Sequence, residues 1–369
     1  MAGLIHSSWV YRASALATMS PVPYISSITS LKRCFSFPSH WHADPHICPV
    51  KSFYQRILLP VAYSIVFFLG FGLNVRLLWC VFLRNSRRSN MITYLSNLAV
   101  ADLLYVLSLP PLIISNSMGD LWPFGDFYCK ATRFFFFVNL HCSMLFLTCV
   151  SAHRFIGVCY PLKAVCTKTR KFAFFTSASL WVLATAEILP TFYFSHTGVI
   201  NNITVCFEMV SPGQFKMYFP YGLFLVIVGF LIPSMVVVAC YCSVLKVLYK
   251  GTTINLNGIS KTVDRDWRNK SLRTLLLVSL LFLICFLPYH VARTIYMFVR
   301  VYQPANCQLL NTVMISYKVW KPVVSLNCCV NPLLYFWGSG CNRARLRACL
   351  WRDRRVQPRV CVLDTGIRS

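Results

Sequence analysis

Residues 219–249 read FPYGLFLVIVGFLIPSMVVVACYCSVLKVLY and contain one charged side chain, Lys246. An α-helix needs about 20 apolar residues to cross the hydrocarbon core of a membrane, because each residue adds about 1.5 Å of length. Six further apolar runs of sufficient length lie at 57–82, 91–114, 127–159, 172–194, 275–299 and 310–337. The pattern predicts an all-α membrane protein, a bundle of seven transmembrane helices.

Composition excludes the common alternatives to a membrane protein. Of the 369 residues, 57% are hydrophobic and 12% are charged, whereas soluble globular domains contain about 25% charged residues. Too few charges are present to cover the surface of a soluble chain of this length. Aromatic residues make up 15% of the chain, and disordered proteins contain few aromatic residues.

The positive charges predict which side of the membrane each link occupies. Lys and Arg number 36 against 10 Asp and Glu, which gives a net charge of +26. They are concentrated at 84–88, 163–171, 250–273 and after residue 337, and cytoplasmic links are enriched in Lys and Arg. We therefore expect the amino terminus outside and the carboxyl terminus in the cytosol. The charge then reports topology, and we expect no nucleic-acid partner.

This topology predicts three regions: an extracellular tail at 1–53, the seven-helix domain at 54–338, and a cytosolic segment at 339–369. In the cytosolic segment, Leu346, Leu350 and Trp351 lie within a basic stretch. They indicate a short amphipathic helix on the inner surface of the membrane lipid. Cys349 beside them is a candidate for palmitoylation, and the alternative is an ordinary reduced thiol.

An acidic residue interrupts the second apolar run. Asp102 lies near the middle of that run, where an ionised side chain costs about 2.5–3.5 kcal/mol. Its expected neighbours are polar residues of the third and seventh runs: Asn139, Ser143, Asn327 and Asn331. A carboxylate among neutral oxygen ligands suits a small hard cation such as sodium. A hydrogen-bonded cluster without an ion is the alternative.

A second set of charged residues lies toward the predicted outer ends of the runs. Four permanent cations belong to it: Arg133, Arg293, Lys318 and Lys321. Burying all four in lipid would cost about 10–14 kcal/mol, so we expect them to face a wet cavity or an anion. For Arg293 and Lys318, the alternative is that the long side chain extends to the outer lipid headgroups.

Helical spacing adds histidines and aromatic residues to these cations. Phe137 and His141 follow Arg133 at i+4 and i+8, which places all three on one helix face. His290 lies one turn before the arginine of the sixth run. Arginine binds phosphate or carboxylate through paired hydrogen bonds, and Phe137 and Tyr289 could contact a flat ring. These residues indicate an outward-facing binding site for a polyanion.

Nothing near these residues in the sequence suggests catalysis. They are accompanied by no acid–base pair, no Gly-rich phosphate loop and no nucleophile–base arrangement. We therefore expect a binding protein rather than an enzyme, with no cofactor except the candidate sodium ion. A transporter of organic anions is a distant alternative, because the internal repeats and broken helices typical of transporters are not found in the sequence.

Short motifs within the apolar runs carry a family pattern. The longest are LAVAD at 98–102, CFLP at 285–288 and NPLLY at 331–335. Single residues belong to the same pattern: Asn74, Trp181, Pro233, Tyr241 and Phe282. The chain thereby resembles the rhodopsin-like class, class A, of G-protein-coupled receptors. The resemblance implies roles in activation and coupling to a heterotrimeric G protein for Arg154, Pro233, Tyr241, Phe282, Phe286, Pro288, Asn331, Pro332 and Tyr335.

Further motifs narrow the resemblance. They are WPFG at 122–125, CKATR at 129–133, NLH at 139–141, PYHVARTIY at 288–296 and YKVWKP at 317–322. The chain looks like the metabotropic purinergic receptors, and NLH with FPYG at 219–222 is closest to the branch that prefers uridine diphosphate. Three positions depart from the usual purinergic pattern: Phe137 replaces Tyr, Lys321 replaces Arg and Asn331 replaces Asp.

The purinergic resemblance implies a plasma-membrane receptor for an extracellular nucleotide of the UDP/UTP or ADP/ATP class. It implies signalling through phospholipase C and calcium, and a ligand site formed by Arg133, Phe137, His141, Tyr289, His290, Arg293, Lys318 and Lys321. A receptor of the same fold for a small dicarboxylate or an anionic lipid is the alternative, since it would use the same cations.

The resemblance also implies two extracellular disulfides, Cys129–Cys206 and Cys48–Cys307. Both pairs lie on the oxidising side of the membrane in the predicted topology. Independently of the resemblance, Asn202 begins the tripeptide Asn-Ile-Thr, which is an N-glycosylation signal on the extracellular side.

Overall fold

The computed structural model describes residues 53–83, 90–160, 169–200, 202–249, 253–256, 259–262 and 265–338. All of them belong to one compact unit, His46–Ser369. The expected amphipathic helix, Cys349 and Cys48 lie outside the described residues. The boundaries expected for the two tails therefore stay predictions.

Six helices in the described part of the chain are long and apolar enough to cross a membrane, and they coincide with the first six predicted runs. Their bounds are Arg56–Phe82, Asn90–Ser117, Gly125–Cys159, Lys171–Phe194, Pro212–Val247 and Ser271–Tyr302. Large apolar side chains such as Phe68, Phe174 and Met235 are exposed on them, as a lipid-facing surface requires. The predicted membrane bundle is confirmed for these spans.

Several spans consist of more than one regular helix. The helices are Phe53–Leu83, Asn90–Leu107, Leu109–Ser117, Gly125–Cys159, Arg170–Ile188, Thr191–Phe194, Phe215–Val226, Ile232–Tyr249, Arg265–Leu281, Leu287–Tyr302, Cys307–Ser325 and Asn327–Gly338. The second span breaks at Ser108, just before Pro110 and Pro111. Proline lacks the amide hydrogen of a helix interior but fits the first turn, so a new helix begins there.

The seventh predicted run, 310–337, is not continuous. It divides at Leu326 into two helices. Each of the two contains a proline, Pro322 or Pro332, which removes an amide donor from its helix. Pro332 leaves the carbonyl of Cys328 without its helical donor, and Asn74 Nδ2 donates to that oxygen at 2.8 Å. A side chain of the first span therefore satisfies the interrupted backbone of the seventh.

Two short π-helical segments, which the sequence did not predict, interrupt the fifth and sixth spans. They are Ile227–Leu231 and Phe282–Phe286. Each lies close before a proline, Pro233 or Pro288. Single π turns widen a helix locally and occur often at functional sites. Both segments face the bundle, since Gly229, Phe230, Phe282 and Phe286 are buried.

Two antiparallel hairpins join the spans. They pair Thr197–Ile200 with Ile203–Cys206 (β1 and β2), and Thr253–Leu256 with Ile259–Thr262 (β3 and β4). The β1–β2 hairpin belongs to the outer link after the fourth span. The predicted disulfide joins its last residue to Cys129 at the start of the third span, and Thr197 N–H donates to Asp126 Oδ1 at 2.8 Å. These tethers hold the hairpin and the residues after it against the third span.

Candidate ligand-binding site

An acidic residue of the outer link contacts the predicted cation site. Lys321 Nζ donates to Glu208 Oε2 at 2.8 Å, and the Lys321 side chain is 3% exposed. The same ammonium lies 5.2 Å from the ring centre of Phe136. Glu208 follows Cys206 by two residues, so the disulfide to the third span sets its position.

The charge surrounding Glu208 keeps it ionised. Burial by itself raises the pKa of this carboxyl, but the positive charges of Lys321, Arg133 and Lys318 more than offset burial and lower the pKa from 4.5 to about 2. Three cations from the third and seventh spans therefore act on one carboxylate. The site already has the electrostatics of an anion-binding site.

Arg133 fixes the backbone beside that carboxylate. Its Nε donates to the carbonyl of Phe207 and its Nη2 to the carbonyl of Cys206, both at 3.1 Å. Its Nη1 is buried and has no hydrogen-bond partner among the described residues. Two nitrogens of the guanidinium thus donate to the loop backbone, and the third remains an unused donor.

Lys318 and Arg293 extend the cation set on either side. Lys318 Nζ lies 4.0 Å from Asp120 Oδ2, and its side chain is 14% exposed. Arg293 is fully buried and its Nη2 donates to the Tyr218 hydroxyl at 2.7 Å. Its guanidinium lies 5.0 Å from the ring centre of Phe137. The alternative in which Arg293 extends to the lipid headgroups is therefore wrong.

We call Arg133, Arg293, Lys318 and Lys321 the outer cation cluster. Aromatic rings line the interior beside it. The ring of Tyr289 contacts that of Phe136 edge-on, with 5.9 Å between ring centres, and its centre lies 5.8 Å from that of Tyr317. Tyr317 stacks on Tyr296, with 5.6 Å between ring centres and 6° between ring planes. The cluster therefore borders a wall of buried aromatic rings rather than open lipid.

A second polar group lies deeper. His141 Nδ1 is 2.8 Å from Glu187 Oε2 of the fourth span, and both side chains are buried. His290 is buried and stacks on Phe230 at 4.4 Å with 12° between the planes. Phe230 follows Gly229, where an added Cβ would overlap the His141 imidazole. We call His141, Glu187 and His290 the deep polar group.

The predicted ligand residues thus occupy two levels. Arg133, Phe137, Tyr289, Arg293, Lys318 and Lys321 form or border the outer cation cluster, whereas His141 and His290 belong to the deep polar group. Sequence reasoning missed both acids. Glu187 could have been found as an ionisable residue inside an apolar run. Glu208 carried no such signal, because its contact with Lys321 depends on the folded loop.

Two of the residues expected around sodium, Asn139 and Asn331, contact Asp102 in the structure. Asp102 is fully buried and accepts from Asn139 Nδ2 at 2.7 Å and from Asn331 Nδ2 at 3.0 Å. Ser143 Oγ, one turn beyond Asn139, is buried with no partner in the described part of the chain. Asn327 is buried and accepts from Cys328 Sγ. Carboxylate, amide and hydroxyl oxygens are ligands that fit a sodium ion.

The predicted activation residues are distributed along the third, fifth, sixth and seventh spans. Phe282 and Phe286 border the π segment of the sixth span, with ring centres 5.3 Å apart. Arg154 is buried near the inner end of the third span. Tyr241 packs against a small apolar cluster of Val158, Val244 and Leu275. These residues connect the third, fifth and sixth spans, while the side chain of Tyr335 lies outside the description.

The structure describes one half of the second predicted disulfide and the whole of the predicted glycosylation signal. Cys307 is disulfide-bonded, and Cys48, its predicted partner, lies outside the described residues. Asn202 is exposed at the turn between β1 and β2, with a left-handed φ of 62°. An exposed hairpin turn is accessible to glycosylation, so the geometry is compatible with the sequence signal.

Comparison with known proteins gives a consistent match. The family model for the 7 transmembrane receptor (rhodopsin family) matches residues 73–335. Purinoceptor 3 of Meleagris gallopavo is 39% identical over 300 residues, covering 81% of this chain and 90% of the relative. Purinoceptor 6 of Homo sapiens is 36% identical over 294 residues, covering 79% and 88%. Purinoceptor 4 of Homo sapiens is 37% identical over 316 residues, covering 86% and 84%.

Proposed function

Because this chain belongs to the rhodopsin family of seven-transmembrane receptors, and within it to the purinoceptors, we propose that its outer cation cluster binds the phosphates of an extracellular nucleotide. The chain is a multi-pass plasma-membrane receptor, and its partners are a nucleotide on the outside and a heterotrimeric G protein on the inside. Receptors of this family are not enzymes. Family membership also argues against the organic-anion transporter considered from the sequence.

The contact between Lys321 and Glu208 is the observation that carries the proposal. A carboxylate already occupies the position where three cations act together. A nucleotide phosphate carries more negative charge than this carboxylate and offers more acceptor oxygens. It would replace Glu208 at Lys321 and draw Arg133 and Lys318 toward the same group.

Unused donors support the same assignment. Arg133 Nη1, Arg293 Nε and Arg293 Nη1 are buried without a hydrogen-bond partner among the described residues. Leaving a buried donor unpaired costs about 1–3 kcal/mol. A phosphate oxygen would satisfy these donors. Phe137 lies against Arg293, so the ribose or base would contact this ring once the phosphates are bound.

Binding at this level would act on the spans that carry the activation residues. The cations belong to the third, sixth and seventh spans, so a shared phosphate would pull their outer ends together. In the sixth span, the π segment and Pro288 supply a position where the helix can bend. We infer that inward motion above Pro288 swings the inner end outward and rearranges Phe282, Arg154, Tyr241 and Tyr335. A cleft for the G protein would open there, with phospholipase C and calcium downstream.

Sodium at Asp102 would oppose this change. We propose that the ion binds between Asp102, Asn139, Ser143 and the seventh-span residues Asn327 and Asn331 in the inactive receptor. A ligand that binds one state better shifts the population toward that state. Sodium should therefore lower nucleotide potency.

We also propose three covalent modifications of the chain: glycosylation at Asn202, palmitoylation at Cys349 and a second disulfide between Cys48 and Cys307.

The test is intracellular calcium in cells that express the chain, challenged separately with UDP, UTP, ADP, ATP and 2-oxoglutarate. A response to a nucleotide that Arg293→Ala reduces by about 100-fold or more in potency supports the proposal. Arg300→Ala is the matched control, because Arg300 lies on the same helix but contacts Phe215. A response to 2-oxoglutarate alone would replace the nucleotide with a dicarboxylate. No response to any of the five, with surface expression verified, would contradict the proposal.

A further inference from the structure

Arg293 differs from the rest of the outer cation cluster in the kind of partner that it has. Lys321 and Lys318 lie beside carboxylates, at 2.8 and 4.0 Å, and Arg133 donates to two backbone carbonyls. Arg293 forms no ion pair with a described residue. Its hydrogen-bond acceptor in the described part of the chain is the hydroxyl of Tyr218, 2.7 Å from Nη2. The fifth span thus supplies a neutral partner to a cation of the sixth.

A neutral partner can fix an arginine without cancelling its charge. Nη2 of Arg293 donates to the Tyr218 hydroxyl, and Cζ lies 5.0 Å from the ring centre of Phe137. These two contacts come from different spans, the fifth and the third. Nε and Nη1 remain buried donors without a partner among the described residues. The charge and two donor nitrogens of Arg293 therefore stay available to an anion.

The side chain of Tyr218 is itself held in place by aromatic rings. It is 1% exposed, and its ring contacts those of Phe194 and Tyr221 edge-on, with 5.2 and 5.7 Å between ring centres. Phe194, at the end of the fourth span, stacks on Tyr221 with 5.4 Å between ring centres. Removing only the hydroxyl of Tyr218 would leave these ring contacts in place.

A glycine allows the fifth and sixth spans to pack closely beside this hydrogen bond. Gly222 lies one turn after Tyr218, and Met297 lies one turn after Arg293. A Cβ added to Gly222 would lie 2.6 Å from Met297 Sδ and 3.2 Å from the Tyr218 ring. Glycine permits such an approach because it has no side chain. The packing of the two helices therefore supports the contact between Tyr218 and Arg293.

We propose that Tyr218 is a positioning residue for the phosphate site, whose hydroxyl holds the Arg293 guanidinium in place for a phosphate of the nucleotide. Fixing the arginine before the ligand arrives removes part of the cost of binding, because a long side chain loses freedom when it is ordered. This inference rests on the proposed function. It adds the fifth span to a site whose cations belong to the third, sixth and seventh spans.

The direction of the expected effect separates Tyr218 from Glu208. Glu208 is an anion that competes with the nucleotide for Lys321. A phosphate can bind Nε and Nη1 of Arg293 without displacing Tyr218. Loss of the Tyr218 hydroxyl should therefore weaken nucleotide binding, whereas loss of the Glu208 charge should strengthen it.

Potency in the calcium assay, compared at matched surface expression, tests the assignment in four receptors: wild type, Tyr218→Phe, Arg293→Ala and the double variant. The probe is whichever of UDP, UTP, ADP and ATP activates the wild type most potently, used up to millimolar concentration. We expect Tyr218→Phe to lower potency about tenfold, the lower end of what a hydrogen bond to a charged group contributes. In the Arg293→Ala background the same change should alter potency by less than about twofold, because its effect acts through the arginine.

Tyr221→Phe is the matched control. Tyr221 lies on the same helix as Tyr218, and its hydroxyl donates to the backbone carbonyl of Glu187 at 2.9 Å. Losing that hydroxyl should leave potency within about twofold of wild type. An equal loss of potency in Tyr221→Phe and Tyr218→Phe would overturn the assignment, because the effect would then not be specific to the contact with Arg293.

The outcomes distinguish a positioning role from a structural one. A loss of potency in Tyr218→Phe that is absent in the Arg293→Ala background supports positioning, whereas an equal loss in both backgrounds shows general damage and overturns it. Unchanged or higher potency in Tyr218→Phe overturns it as well. So does a Tyr218→Phe receptor that fails to reach the cell surface, since the hydroxyl would then be needed for folding.

Failure of the proposed function would look different. A wild-type receptor that responds to no nucleotide removes the proposed function, and this inference with it. An Arg293→Ala receptor that responds like wild type does the same, because the arginine would then not bind phosphate.

Discussion

Lys321 of the seventh span and Glu208 of the outer link are 113 positions apart in sequence, and their side chains form an ion pair at 2.8 Å. The pair closes the outer link over the cation cluster. An anionic ligand must either compete with Glu208 for Lys321 or bind beside both. Because Lys321 is buried and Glu208 is partly exposed, the carboxylate is the partner that can leave.

Removing the charge of Glu208 should therefore raise nucleotide potency. We expect Glu208→Gln to lower the half-maximal concentration about fivefold or more, since the ligand no longer displaces an internal anion. Concentration–response curves for calcium measure the effect. Asp120→Asn is a suitable comparison, because its contact with Lys318 is longer, at 4.0 Å, and the gain should be smaller. A loss of potency in Glu208→Gln would mean that Glu208 helps to hold the ligand.

The same ion pair predicts a pH dependence of stability. The pKa of Glu208 is lowered from 4.5 to about 2, so the unfolded chain binds a proton more readily than the folded chain. The stabilisation is complete above pH 4.5 and is lost as the pH falls toward 2. At about pH 6, purified wild-type receptor should have a higher unfolding temperature than Glu208→Gln. The difference between the two unfolding temperatures should become smaller by about pH 3. A difference that is constant with pH would contradict the assignment.

Gly229 should tolerate no side chain. A Cβ at this position would overlap the His141 imidazole, so Gly229→Ala must displace the ring from Glu187 or move the fifth span. Forced overpacking of this kind costs about 1–3 kcal/mol. We expect a lower unfolding temperature and a weaker response to nucleotide. Gly72→Ala is the matched control, since apart from its own stretch of helix no described atom lies within 4 Å of its added Cβ, and it should behave as wild type.

Sodium should act through Asp102. Replacing sodium in the medium by an organic cation should raise nucleotide potency of the wild-type receptor about threefold to tenfold, because the ion would bind the inactive state better. Asp102→Asn removes the charge that attracts the ion, and its potency should not depend on sodium. An equal sodium effect in both receptors would show that the ion acts elsewhere.

The membrane bundle followed from the sequence because its cause is local. Long apolar runs must form helices in lipid, where every backbone group needs a partner within the segment, and six of the predicted spans agree with the structure closely. The interruptions were less predictable. Pro322 and Pro332 were visible in the sequence, but the division at Leu326 and the donor that satisfies the freed carbonyl of Cys328, Asn74 of another span, are seen only in the folded chain.

An anion site at four cations was predicted from the apolar runs alone, because a permanent charge inside such a run needs a wet cavity or an anion beside it. The sequence could not determine what neutralises these cations. Glu208 reaches Lys321 only because a disulfide and a hairpin carry the outer link back over the bundle. Glu187 pairs with His141 only because the fourth span packs beside the third. The position of a charge within an apolar run can be read from one helix. The partner of that charge is decided by the packing of several helices.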